Sequence, residues 1–290
     1  MIKLDAATVL LQWAVGGLAF TWVTTRGRLL GIGYGWLMRG LFMALALASI
    51  AAGRSFGAVP VREASAVLVV LAAGVALVVS ILRRKAGVSG ARELASARHE
   101  RVVAMLDHPT GATMTLDDAM GGTEFPPALD LVAPLVGIVG LVAAGLADAH
   151  GGAGVHALSV ARVLVGAAFL GCVTDAMLLG HWYLVQPGLP RAPLFELNGW
   201  LARIWPLEVG LLLVPTGMFS VFNGRIDDGY GGMLGWFWIA CAVTTIGLSF
   251  VTRAALKERS YSAVMAATGL LYLAILTAFG TDLVARAILG

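Results

Sequence analysis

"CVTDAMLLGHWYLVQPGLPRAPLFELNGWLARIWPLEVG", residues 172–210, runs two long apolar stretches together and drops an aspartate, a histidine and a glutamate into them. Asp175, His181 and Glu208 sit where a chain in contact with hydrocarbon has no water to solvate a charge. Working outward, the same pattern of long apolar runs recurs from end to end. Hydrophobic residues make up 59% of the 290 and charged residues 13%, with a mean hydropathy of +0.85. A soluble domain carries about a quarter of its residues as charges. The apolar excess falls in runs of about 20 residues, the length that crosses a hydrocarbon core of about 30 Å.

The expected fold is all-α, a polytopic transmembrane helix bundle of eight spans at 6–25, 32–52, 62–82, 129–148, 158–184, 198–222, 230–252 and 262–286. Backbone groups in lipid must be satisfied within the segment, so each span is read as a helix. Breaker-rich loops such as "GRSFGAVP", "HGGAGVH" and "QPGLPRAP" separate them. Trp22, Trp36, Trp182 and Trp200 fall near span ends, as an aromatic belt requires. The first twenty residues lack a basic leader and a small-residue cleavage site, which reads as a retained span.

Lysines and arginines set the expected orientation. Loops after spans 1, 3, 5 and 7 hold twelve of them, the opposite side holds six, and Arg39 and Arg203 lie within or beside spans. Positive-inside then places both termini outside a bacterial cytoplasmic (inner) membrane and the 83–128 loop in the cytoplasm. In that loop "GARELASARHERVVAMLD" puts Leu94, Val102 and Met105 on one stripe, a short amphipathic helix for the membrane surface or a partner. The loop is too short for a catalytic domain of its own.

Four intramembrane ionisable groups are the candidate site: Arg39, Asp175, His181 and Glu208, with Trp182 and Trp205 on the same faces. Asp175, Leu179 and Trp182 share one helical face, and Trp205, Glu208 and Leu212 another. All four are expected in the inner half, with Asp175, His181 and Glu208 lining one inward cavity and Arg39 as counter-charge to Asp175 or Glu208. The competing reading is that Arg39 pairs with a carboxylate only to hold helices together. Pro206 and Pro215 invite kinks around Glu208.

Other chemistry is thinly represented. Cys172 and Cys241 stand alone, so cysteine-ligated clusters are excluded. Only one of five histidines, His181, lies in a span, which disfavours bis-histidine haem. Asp148, His150 and His156 in one loop form a weak candidate metal set. Asp227 and Asp228 fall short of a calcium loop. There is no phosphate loop, GxSxG or HExxH, and the basic balance belongs to membrane topology, not nucleic acid.

"RGRLLGIGYG" at 26–35 and "NGRIDDGYGG" at 223–232 share Gly-Arg and Gly-Tyr-Gly, and suggest an inverted repeat of spans 1–3 on spans 6–8. The expected function is a non-catalytic integral subunit of a larger bacterial energy-converting membrane complex. It would contact quinone, lipid or a proton route through the charged group, with other membrane subunits and the bilayer as partners. No resident cofactor is required. The alternative is a small secondary transporter.

Overall fold

The computed structural model describes residues 4–90, 93, 96, 123–186, 188–214 and 217–290. Among these the structure is helical with no strand. In chain order the helices are α1 Ala6–Thr25, α2 Ile32–Phe56, α3 Pro60–Leu82, α4 Val132–Asp148, α5 Ala153–Val185, α6 Ala192–Leu213, α7 Met218–Phe222, α8 Met233–Lys257 and α9 Tyr261–Leu289. Short 3-10 turns cover Arg84–Ala86 and Pro127–Leu131. The amphipathic helix expected in the 83–128 loop falls, apart from its first residues, outside the described residues.

Among the described residues, seven helices are long and apolar enough to cross a membrane: α1, α2, α3, α4 with its preceding turn, α5, α8 and α9. This is a multi-pass membrane protein. The remaining long helix departs from the span expected at 198–222. It starts at Ala192 and ends at Leu213, and Glu196, Arg203 and Glu208 make it more polar than the rest. Its end has a local cause. Val214 precedes a proline, which disfavours helical backbone, and it is extended at φ −123°, ψ 158°.

Polarity is inverted relative to a water-soluble bundle. Leu71, Val75 and Val78 on α3, Leu135 and Val139 on α4, Phe250 on α8 and Leu276 on α9 are exposed. Arg39, Arg62, Arg162, Arg286, Asp130, Asp175, Glu208 and Asp282 are buried. Hydrocarbon outside and charge inside is the arrangement a bilayer solvent selects.

α1 and α5 form the centre and are buried on most of their surface, whereas the other spanning helices bury half or less of theirs. They cross at Gly16, Ala167 and Gly171, where a β-carbon on Gly16 would run into the Ala167 carbonyl and one on Gly171 into the Gly16 backbone. Small residues let the two backbones touch. Around this pair, α4 lays Gly137 on Val15 and Gly140 on Ser65 of α3. The Ser65 hydroxyl donates to the Val136 carbonyl at 2.8 Å.

One face of the bundle gathers Asp5, the α2–α3 turn, Asp148 and the 223–232 loop. It is called the N-terminal face below. The opposite, basic face holds Arg26, Arg28, Arg83 and Arg191. On the N-terminal face Asp5 caps α1, accepting from Thr8 N at 3.1 Å, and pairs with buried Arg62 of α3.

The two Gly-Tyr-Gly segments of the suggested repeat do not take the same conformation. Gly33, Tyr34 and Gly35 are helical and Tyr34 is wholly buried. Gly229 and Gly231 have φ of +72° and +63°, and Tyr230 is exposed. The difference follows from Asp228, which folds the loop onto the start of α8. Its carboxylate accepts from the backbone N–H groups of Tyr230, Gly232, Leu234 and Gly235 at 3.0, 2.8, 2.9 and 3.3 Å. Those four bonds, the Gly232 one foremost, stabilise the ionised carboxylate and hold its pKa below the ordinary carboxylate range. A depressed folded value means the stabilisation is complete above the ordinary carboxylate range and is lost as pH falls through the depressed value. Asp228→Asn in detergent should therefore melt lower than wild type at neutral pH. That difference should close on acidification below about pH 4, the ordinary aspartate value, as thermal melts across pH would show.

Candidate functional site

Besides Arg62 with Asp5 and Glu63 on the N-terminal face, the buried ionisable groups among the described residues lie at three depths: the Arg39–Asp130 pair, Asp175, and a cluster around Glu208. Each is organised by α1, whose polar residues run from one face to the other.

Nearest the basic face, Arg39 of α2 makes a two-pronged ion pair with Asp130, Nε to Oδ1 at 2.7 Å and Nη2 to Oδ2 at 2.8 Å. Nη1 also donates to Ser80 of α3 at 3.3 Å, and Thr25 of α1 donates to the same aspartate at 3.0 Å. The guanidinium lies over the Phe125 ring, 4.3 Å from its centroid. Arg39 is therefore not the counter-charge of Asp175 or Glu208. Asp130 takes that place because the turn ahead of α4 folds its carboxylate inward, which its position at a span boundary did not suggest.

Asp175 lies one step deeper on α5 and is fully buried. Thr21 of α1 donates to it at 3.3 Å, and the Tyr34 hydroxyl sits close enough to interact electrostatically without hydrogen-bond geometry. The other carboxyl oxygen and the Tyr34 hydroxyl have no hydrogen-bond partner among the described residues. On the preceding residue, Thr174 accepts from Trp13 of α1 at 2.8 Å.

The third group lies in the half of the bundle toward the N-terminal face. Glu208 of α6 faces Asp282 and Arg286 of α9 and Arg162 of α5. Arg286 Nε bonds Asp282 Oδ2 at 2.8 Å, one turn apart on α9 with both side chains buried. Gln12 of α1 donates to the Val163 carbonyl at 2.7 Å. Gly166 of α5 makes room for the cluster. A β-carbon there would stand 2.9 Å from Gln12 Nε2, 3.3 Å from Asp282 Oδ1 and 3.4 Å from Arg286 Nη2. Arg162 closes the group by donating to the Leu211 and Val214 carbonyls at 2.7 and 3.2 Å. In doing so it satisfies orphan carbonyls at the end of α6. Both Glu208 oxygens, Gln12 Oε1, Asp282 Oδ1 and both Arg286 Nη atoms lack hydrogen-bond partners among the described residues. So many unsatisfied buried polar atoms in one place require an explanation beyond packing.

Comparison with family models, curated proteins and solved structures finds no match for this chain.

The structure thus separates the residues expected to share one inward cavity. Glu208 meets Arg162, and Arg162 lies thirteen residues before Asp175 on α5, about 20 Å along the helix axis. The closely packed crossing at Gly16, Ala167 and Gly171 stands between them. Glu208 looks level with Asp175 when span 6 starts at 198, ten residues before it; the helix starts at Ala192, sixteen residues before it. With α6 ending at Leu213, Glu208 is five residues from the N-terminal-face end.

His181 is exposed at the other end of α5, its Nδ1 3.2 Å from the Tyr272 hydroxyl. Trp182 packs edge-on to Tyr34 at 6.0 Å and bonds Gln186 through Nε1. Trp205 donates to the Ala242 carbonyl of α8 at 2.9 Å. Neither tryptophan joins the charged cluster through a hydrogen bond. Asp148, His150 and His156 are not gathered as ligands, and among the described residues no group of three His, Cys, Asp or Glu side chains is. His156 instead contacts the Gly152 carbonyl at 3.1 Å in the first turn of α5.

Sequence reasoning missed Arg162, Arg286, Asp282, Asp130 and Gln12. In sequence Arg162 and Arg286 fall among the six charges of the opposite side, because each lies close to a span end. A signal was present in the spacing of Asp282 and Arg286, four apart on an apolar helix.

A cavity of about 860 Å³ opens on the N-terminal face, lined by His150, Ser159, Arg162, Ser220, Arg225 and Ile226 among others. Arg162 is both its wall and a member of the buried cluster, so the cluster lies one side chain behind the cavity.

Arg39→Ala and Asp130→Ala should each destabilise by about 3–5 kcal/mol, the cost of leaving one buried charge alone. The double variant should lose less than the sum, and thermal denaturation in detergent of the four proteins closes that cycle.

Proposed function

We propose that the chain handles protons within a bacterial inner membrane, as a non-catalytic integral subunit of a larger energy-converting assembly. The observation that carries this is the Glu208–Asp282–Arg286 cluster, two facing carboxyls and a guanidinium with unpartnered polar atoms one arginine away from an open cavity. Two facing carboxyls can share one proton, and their closeness lets it pass from one to the other. Arg162 supplies a fixed positive charge between cavity and cluster, which offsets the negative charge of the facing acids.

The cavity then acts as a half-channel from the N-terminal face. The α1–α5 crossing seals it, and Asp175 with Thr21 and Tyr34 forms the next station toward the basic face. Subunit status is supported by the absence of a catalytic motif in the sequence and by the small size of the 83–128 loop. A quinone or lipid remains a candidate ligand at this level. An apolar groove of about 320 Å³ between Phe20, Trp22, Leu135, Ile138 and Trp200 suits an isoprenoid or acyl tail.

In this reading α6 also crosses the membrane. That makes eight spans and places both termini on the outer side, with the basic face in the cytoplasm. Burial of Arg62, Arg162 and Arg286 removes three charges from the outer count and widens the positive-inside bias. Cysteines introduced at Lys85 and Gly152, both exposed, should label from opposite sides of right-side-out vesicles. Labelling of both from one side overturns the topology.

A small secondary transporter is the second reading, favoured by the volume of the same cavity. Purification from native membranes in mild detergent separates the two. A subunit brings other membrane chains in fixed ratio, whereas a transporter runs alone or as copies of itself. In the purified assembly, reconstituted with a pH-sensitive dye, Glu208→Gln should lower proton transfer about a hundredfold, the low end for loss of a positioned acid. Expression and assembly should stay unchanged. Proton transfer at the wild-type rate would remove the proton-handling role.

A further inference from the structure

We infer that the outward face of α6 is the docking surface for a membrane helix of another chain, and that this helix presents a carboxylate to Arg203; this rests on the subunit reading above. Arg203 lies at the middle of the 22-residue α6, eleven residues from Ala192 and ten from Leu213. The flanking bonds confirm the level. Asn198 is bonded to Ser249 and Trp205 to Ala242, so Arg203 is level with the centre of α8. Yet Arg203 is exposed.

It has neither an ion pair nor a hydrogen bond among the described residues, only the Trp200 ring 5.6 Å away. An exposed guanidinium at mid-membrane is costly unless something pairs with it. A lipid phosphate is too far. Arg203 is about 16 Å from the basic-face end of α6, and its side chain folds back only as far as Gly199, roughly one turn. The missing partner is therefore a protein group at the same depth.

This chain does not supply that group to a second copy of itself. The acids in the interior of its spanning helices among the described residues, Asp175, Glu208 and Asp282, are all buried. The partner is a different chain. The surface around Arg203 suits a helix. Trp200 and Leu207 are exposed at 38% and 59% on the same stripe. Nothing stands within 4 Å of where a β-carbon on Gly210 would be, so another helix can approach closely.

The test places a photo-crosslinking residue at Leu207 in native membranes, with Leu71 on the lipid face of α3 as the control. Crosslinked peptides are then identified by mass spectrometry. Expected is a crosslink from 207, and none from 71, to a membrane helix of another chain with Asp or Glu within one turn of the linked residue. Arg203→Leu should reduce that yield at least about tenfold, as loss of a desolvated charge pair does, and Arg203→Lys should keep most of it. Adducts at 207 with lipid or a second copy alone, or a yield indifferent to Arg203→Leu, overturn the inference. If other chains co-purify but crosslink through 71, the subunit reading stands and this interface falls. If none co-purify, the subunit reading falls as well.

Discussion

The contact of α1 with α5 at Gly16, Ala167 and Gly171 is the constraint on which the rest of the bundle depends. Backbone meets backbone there, so neither helix can rotate or slide without a clash. Fixing that crossing sets the direction of every polar residue on α1. Gln12 points to the cluster behind the N-terminal-face cavity, Thr21 to Asp175 and Thr25 to Asp130. The crossing also divides the interior. Toward one face the acids lie close to a cavity, and toward the other they are enclosed among Thr21, Tyr34 and the Arg39–Asp130 pair.

Burial of charge is the second organising fact, and each buried arginine resolves it differently. Arg39 is fully matched, with a two-pronged carboxylate, a serine and an aromatic face. Arg62 is held by Asp5, Glu63 and the Gly57 carbonyl, tying the start of α1 to the α2–α3 turn. Arg162 spends its donors on the end of α6. Arg286 alone keeps one bond and two unpartnered nitrogens. Three of these four are satisfied in the manner of structural clamps. The fourth stands beside the two facing carboxyls, which is why the proposed chemistry is placed there and not at Arg39.

Several features were legible in the residues because they depend on local sequence alone. The apolar runs and the breakers between them need only helix and bilayer physics. The faces within one helix were legible too. Asp175 and Leu179 are buried together, as are Glu208 and Leu212. The 198–222 span failed for a local reason that was itself visible. Pro215 was read as a kink within a continuing helix, whereas the preceding Val214 already leaves it. The two Gly-Tyr-Gly segments differ because matching letters met different surroundings, with Tyr34 inside a helix and Tyr230 in a loop shaped by Asp228.

The sequence by itself determined that this chain lives in a membrane as helices and that ionisable groups are held among them. Those conclusions follow from composition and from spacing along a single helix. Only the tertiary structure decided which groups meet. Partners such as Arg39 and Asp130, 91 residues apart, or Glu208 and Asp282, on helices separated by two others, depend on depth, rotation and neighbour choice. Each of those is set by packing at positions far away in the chain, the glycines of α1 and α5 first among them. A charge near a span end reads the same in sequence whether it reaches water or turns inward, and the difference lies in what the adjacent helix offers it.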